Sequence, residues 1–204
     1  MAHPLKIAIL ISGRGSNMMS LLAACKAPDF PAIPVIIVSN QSDAPGLQAA
    51  QKAGITTASL VRKDYASRET YDNALNDILK KHGVELICLA GFMQILSKDF
   101  VEKWHNRILN IHPSLLPSFK GLNTHQRALD AGVKFSGCTV HYVRYEMDTG
   151  PIISQAVVPV LEDDTADTLA ARVLMEEHRI YPKALKLVAT GTVYVEGDRL
   201  ISKE

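Results

Sequence analysis

Short apolar runs separated by helical patterns constrain this chain more than any other feature. Ile7 to Ile11, Val35 to Val38, Thr57 to Val61, Leu86 to Ala90 and Ile108 to His112 have the length and composition of buried strands. Between them, Asn17 to Lys26, Gly46 to Ala53, Ser67 to His82 and Ser97 to Trp104 carry helical spacing. Ser67 with Thr70, and Ser97 with Phe100, lack the acid of a full capping box, but Ser remains a good N-cap. Strand and helix alternating in this way predict right-handed crossovers and a mostly parallel α/β sheet flanked by helices.

After Pro117 the rhythm changes. Gly137 to Tyr145 and Ile152 to Val160 alternate in apolar character, and the loop from Glu146 to Pro151 joins them, so antiparallel strands are expected in the C-terminal half. Thr165 to Ala189 has a sustained helical pattern that Pro182 should kink or restart. Thr192 to Ile201 closes as a hairpin turning at Glu196-Gly197-Asp198. With 204 residues and no repeat, linker or low-complexity tract, one domain over 1–204 is expected.

A hydrophobic content of 47% and a formal charge of +1 fit a soluble globule and give no reason to expect nucleic acid or a membrane as partner. Cys25, Cys88 and Cys138 lie far apart with no C-x-x-C spacing, which argues against a disulfide framework or structural zinc and for a reducing, cytoplasmic setting. Met1 to Lys6 carries no basic-then-apolar leader, and no apolar stretch reaches the roughly 18 to 20 residues of a membrane helix.

Chemistry concentrates at the end of the run Ile108-Leu109-Asn110-Ile111-His112. Side chains alternate along a strand, so Asn110 and His112 point the same way and Ile111 the other. Pro113 cannot donate to a ladder and disfavours helix at His112, so the chain leaves the sheet there, at the edge where open α/β folds place their sites. An amide can donate to a developing oxyanion and an imidazole can move the proton, while Asp148 in the later loop could hold His112 protonated.

Ser12-Gly13-Arg14-Gly15-Ser16-Asn17 lies between the first strand and the first helix. Such a turn brings backbone amides and a helix N-terminus close to an anion. It is no dinucleotide fingerprint, because the third glycine would fall at Met18 and Ser39-Asn40 supplies no carboxylate for a ribose. The Lys-Ser/Thr pair of a triphosphate loop is missing too, which leaves a monophosphate. The same residues would also serve as a plain tight turn with Ser16 and Asn17 as helix caps, and the motif alone does not choose.

The other histidines are weaker candidates: His3 is terminal, His82 ends a helix, and His105 sits in a polar turn. His125 and His141 are placed to line a cleft, but no pair has metal-ligand spacing, so no metal is assigned. No G-x-S-x-G elbow supports serine hydrolysis. Glu176-Glu177-His178 reads by default as a solvated helix face.

Together these residues resemble the folate-dependent formyltransferase family across nearly the whole chain. Asn110 to Pro117 with Asp148 carries the superfamily likeness. The glycine turn and Glu177-His178-Arg179-Ile180-Tyr181-Pro182 point to its glycinamide ribonucleotide branch. Leu89 to Met93, Gly121 with Thr124-His125, Thr139-Val140-His141 and Asp148 to Pro151 add to it. The resemblance implies a Rossmann-like formyltransferase fold, with a nucleotide-binding half over about 1–105 and a catalytic and folate half over about 106–204. It also implies transfer of a formyl group from 10-formyltetrahydrofolate, as co-substrate, to glycinamide ribonucleotide in purine biosynthesis. Asn110, His112 and Asp148 would be catalytic. Gly15, Ser16 and Asn17, with Leu174, Met175, Glu176 and Glu177, would hold the nucleotide. Arg68, Met93, Gln94, Ile95, Leu96, Asn110 and the loop Arg144, Tyr145, Glu146, Met147 and Asp148 would hold the folate. Bacterial members often carry Arg where this chain has Gln94, so backbone contacts to the pterin are what the likeness implies there.

The expected partners are therefore two small molecules, with no nucleic acid, no membrane and no metal, bound by a monomer or homodimer. A formyltetrahydrofolate hydrolase shares the same trio but usually has a regulatory domain ahead of it, for which a strand beginning at Lys6 leaves no room. Methionyl-transfer-RNA formyltransferase normally adds a C-terminal RNA-binding domain. A non-enzymatic folate- or phosphate-binding module is the reading from another class.

Overall fold

A computed structural model describes residues 3–203; Met1 and Ala2, part of the stretch read for a leader, lie outside them. The strands are β1 (Leu5–Ile11), β2 (Ala32–Ser39), β3 (Thr57–Ser59), β4 (Leu86–Leu89), β5 (Ile108–His112), β6 (Phe135–Tyr142), β7 (Ile152–Pro159), β8 (Val193–Glu196) and β9 (Arg199–Ser202). The helices are α1 (Ser16–Cys25), α2 (Pro45–Lys52), α3 (Arg68–Lys81), α4 (Lys98–Lys103), α5 (Thr124–Asp130) and α6 (Ala166–Ala189). The main sheet has seven strands in the order β3-β2-β1-β4-β5-β6-β7, and β8 and β9 form a sheet of two. It is a mostly parallel, helix-flanked sheet with antiparallel strands toward the C-terminus, as the alternating pattern predicts.

Two compact units divide the chain, residues 1–109 and 110–204. In the first, β1 pairs in parallel with both β2 and β4, and β2 with β3. Ile7, Ile9, Leu10 and Ile11 are fully buried, as are Ile37 and Val38 of β2, which explains the continuous apolar runs. The β1–β2 register slips between Ile7 and Ala8, skipping Val35 after Pro34, a residue with no N–H for the ladder. Chain order runs outward from β1 in both directions, so its carboxyl end is the switch point at which open α/β sheets bind ligands. The capping box of α3 is complete without an acid: the Thr70 hydroxyl accepts from Ser67 N while Ser67 accepts from Thr70 N.

In the second unit β6 and β7 pair antiparallel. Of the kink or restart expected at Pro182, the restart does not occur: α6 runs unbroken for 24 residues. Proline there forfeits one backbone bond. Leu169, Val173, Ile180, Tyr181, Ala184 and Leu185 are all buried along the helix, and that apolar burial offsets the loss. The final hairpin turns on Gly197-Asp198 alone, with Glu196 opposite Arg199, and Gly197 takes the positive φ of 58° that a tight turn needs.

Candidate functional site

Asn110 and His112 sit at the carboxyl end of β5, and Ser114 N already turns back to the His112 carbonyl at 2.9 Å, so the strand stops at Pro113. His112 is 6% exposed. Its Nδ1 lies 3.5 Å from Asp148 Oδ2, and its Nε2 lies 3.0 Å from the Phe119 carbonyl. Both neighbours are acceptors, so an imidazolium here can donate on both sides.

Asp148 reaches His112 from the loop after β6 in a left-handed backbone conformation, φ 53°, which Asp tolerates better than most residues. The Gly121 amide donates to the same Oδ2 at 2.8 Å and fixes the carboxylate. Gly150 closes this loop against β6, because a Cβ there would overlap the Tyr142 carbonyl.

His141 completes the cluster. Its Nδ1 is 2.9 Å from the Tyr142 carbonyl, which can only accept, so Nδ1 carries the proton and Nε2 is left as an acceptor. The Asn110 Nδ2 donates to that Nε2 at 3.2 Å, leaving its second N–H for another partner. Burial pushes the His141 pKa below the ordinary histidine value, against the opposing pull of the Tyr142 hydrogen bond and Asp148, which keeps this ring neutral. The ladder slips opposite His141, skipping Ile153, a kink of the kind found beside sites. From the sequence, His141 is expected only to line a cleft. The signal for more was Thr139 and His141 standing two apart in a strand, on one face.

In the first unit, the glycine turn is held by Ser12, whose N–H donates to Gly91 O at 3.2 Å and whose hydroxyl accepts from Met93 N at 2.7 Å. This bonds the turn to the segment Met93 to Leu96. Gly15 is the N-cap of α1 with φ 73°, and no side chain caps the helix, so Ser16 and Asn17 are its first residues rather than its caps. That corrects the plain-cap reading. Glycine is required at 46, where a Cβ would lie 2.9 Å from the Gly13 carbonyl and 2.5 Å from Ile11. Met93 and Ile95 are exposed, Leu96 is buried, and the Gln94 amide bends to the Ile95 carbonyl at 3.4 Å. Arg68 opens α3 on the surface.

In the second unit, Tyr145 and Met147 are exposed, while Arg144 Nη1 donates to the Val143 carbonyl and Glu146 O accepts from Thr149. On α6 the expected solvated face is corrected at one position. Glu176 pairs with Arg179 at the surface and Met175 is exposed, but Glu177 is buried, 7% exposed. Leu174 is half-buried.

Among the described residues no group of three or more His, Cys, Asp or Glu is arranged to hold a metal ion, and no helix is long and apolar enough to cross a membrane.

The formyl transferase family model matches residues 5–185. The chain is 52% identical over 193 residues to the trifunctional purine biosynthetic protein adenosine-3 of Gallus gallus, covering 95% of this chain but only 19% of that protein's length. It is 42% identical over 203 residues to phosphoribosylglycinamide formyltransferase of Escherichia coli, covering 96% of each. The crystal structure of glycinamide ribonucleotide transformylase 1 from Symbiobacterium toebii superposes with a TM-score of 0.97 at 45% identity, over 100% of this chain and 96% of that one.

Proposed function

The chain belongs to the formyl transferase family, and on that premise we propose that it transfers the formyl group of 10-formyltetrahydrofolate to the amine of glycinamide ribonucleotide. The products are N-formylglycinamide ribonucleotide and tetrahydrofolate, a step of de novo purine biosynthesis. The observation that carries this reading is the paired cluster at the end of β5, Asn110 with His141 and His112 with Asp148. The names of the relatives support transfer to the nucleotide rather than hydrolysis.

In this reading the glycinamide amine attacks the formyl carbon, forming a C–N bond and a tetrahedral oxyanion. The free Asn110 N–H and the His112 Nε2–H donate to that oxygen, in a buried setting where such bonds count most. His141 holds the Asn110 amide at the right roll, and Asp148 accepts from His112 Nδ1 as positive charge is needed there. Collapse breaks the bond from the formyl carbon to N10 of the folate, and the proton lost by the amine ends on N10. No covalent enzyme intermediate is required.

The amides at Gly15, Ser16 and Asn17 take the phosphate at the start of α1, and Leu174 to Glu177 take the glycinamide and ribose end. Arg68, Met93 to Leu96, Asn110 and Arg144 to Asp148 take the folate. Both units work as one formyltransferase domain, cytoplasmic, monomeric or homodimeric and without a metal. The test is absorbance-monitored consumption of 10-formyltetrahydrofolate with and without glycinamide ribonucleotide. Nucleotide-dependent consumption is expected. Equal consumption without nucleotide would mean hydrolysis, and none in either case a binding module.

A further inference from the structure

Resting on the formyl-transfer reading, we propose that the loop after β5 keeps the His112 N–H in reserve. The Phe119 carbonyl occupies that donor until the formyl oxygen displaces it. His112 Nε2 has a single N–H, and it is already aimed at Phe119 O, 3.0 Å away. One N–H cannot serve two acceptors at full strength, so the oxyanion and the loop carbonyl compete for it.

The geometry of Phe119 is held from outside. Its φ is 52°, a left-handed conformation that is costly for a bulky side chain and persists only where neighbours over-determine it. Those neighbours are present on both sides. The Ser114 hydroxyl donates to the Ser118 carbonyl at 2.6 Å. The Arg127 guanidinium donates to the carbonyls of Lys120 at 2.5 Å and Leu122 at 3.3 Å, and lies 5.7 Å over the Phe119 ring. Two residues further on, Gly121 N donates to Asp148 at 2.8 Å. One strapped loop therefore touches both members of the His112–Asp148 pair, capping the reactive N–H while bracing the carboxylate.

The exchange follows the charge that develops on the formyl oxygen. A neutral amide carbonyl is a weaker acceptor than a developing oxyanion, so the swap becomes favourable as charge builds on the formyl oxygen. With no donor in place, the carbonyl keeps the N–H satisfied and denies it to water.

The test uses full-length protein labelled with carbonyl-13C phenylalanine, the Phe119 signal being assigned by its loss in Phe119→Leu. In ligand-free protein, His112→Ala and His112→Asn should move the Phe119 carbonyl upfield, as loss of a hydrogen bond does. Wild type saturated with glycinamide ribonucleotide and an unreactive 10-carboxy-deazafolate, whose anionic oxygen stands in for the developing oxyanion, should show the same upfield move. A carbonyl that ignores the substitution in both folded variants, or that stays put in the ternary complex, overturns the proposal. Turnover of the same wild-type sample reports the transfer reading separately: a carbonyl that answers the substitutions in an inactive protein overturns the transfer reading and, with it, the exchange.

Discussion

The Asn110 amide donates to His141 Nε2 at 3.2 Å, and the opposite nitrogen of that ring donates to the Tyr142 carbonyl at 2.9 Å. A backbone carbonyl thus sets the tautomer of His141, and the tautomer sets the roll of Asn110. If Asn110 meets the oxyanion, His141 acts through it as a positioning residue. His141→Leu should lower kcat by about tenfold or more while leaving the folate KM within about twofold, since second partners of reacting groups typically matter on that scale. His141→Gln, which offers an amide oxygen near the lost Nε2, should recover part of kcat. Equal losses in both variants would argue for a packing role.

Gly150 is tested through the backbone. An added Cβ would overlap the Tyr142 carbonyl, so Gly150→Ala must push the loop that carries Asp148 away from β6. A destabilisation of about 1–3 kcal/mol is expected in denaturant titration, together with a larger proportional loss of kcat. Loss of stability with normal turnover would separate the loop from the chemistry.

Glu177 lies midway along α6, on the same buried stripe as Val173, Ile180 and Ala184, yet it carries a carboxylate. If it receives the glycinamide end of the nucleotide, Glu177→Gln should raise the nucleotide KM by about tenfold or more, the usual range for a hydrogen bond to a charged group, and leave the folate KM alone. An unchanged nucleotide KM in a folded variant would remove Glu177 from the site.

Stability should fall on mild acidification. His141 and His178 have pKa values pushed down by burial, and His125 is pushed down by burial first and by His112 second. In the unfolded chain these rings take up protons near pH ~6.5, while in the fold they resist, so the unfolded state binds more protons below that point. Melting temperature should therefore drop as pH falls from about 7 toward 5 and level off below the folded pKa values. Because His178 Nε2 is buried without a hydrogen-bond partner, His178→Leu should flatten this slope. A melting temperature independent of pH across that window would refute it.

The parallel strands were legible because burial on both faces demands continuous apolar runs, which Ile7 to Ile11 displays directly. The same-sided pair Asn110 and His112, and the stop at Pro113, follow from strand periodicity and proline chemistry. What periodicity reports poorly is the exception inside an element. Pro182 suggests a kink or a restart because the lost backbone bond is local, whereas the apolar face of α6 that keeps the helix running extends over its whole length. Glu177 looked solvated because its neighbours are charged, although its spacing from Val173 and Ile180 already put it on the buried stripe. Phe119 gave no signal at all: its contribution is a backbone carbonyl, which every residue has, aimed by a φ of 52° that a phenylalanine does not advertise.

The most direct measurement is the single-turnover rate of formyl transfer to glycinamide ribonucleotide by wild type and by Asn110→Ala, each first shown to melt at the same temperature. Asn110 is half-buried and its amide donates to His141, so the substitution should spare the fold. Transfer by the wild type is expected, with a rate lower by about 100-fold or more in the variant, the usual cost of one oxyanion donor. Equal rates in the two folded proteins would contradict it.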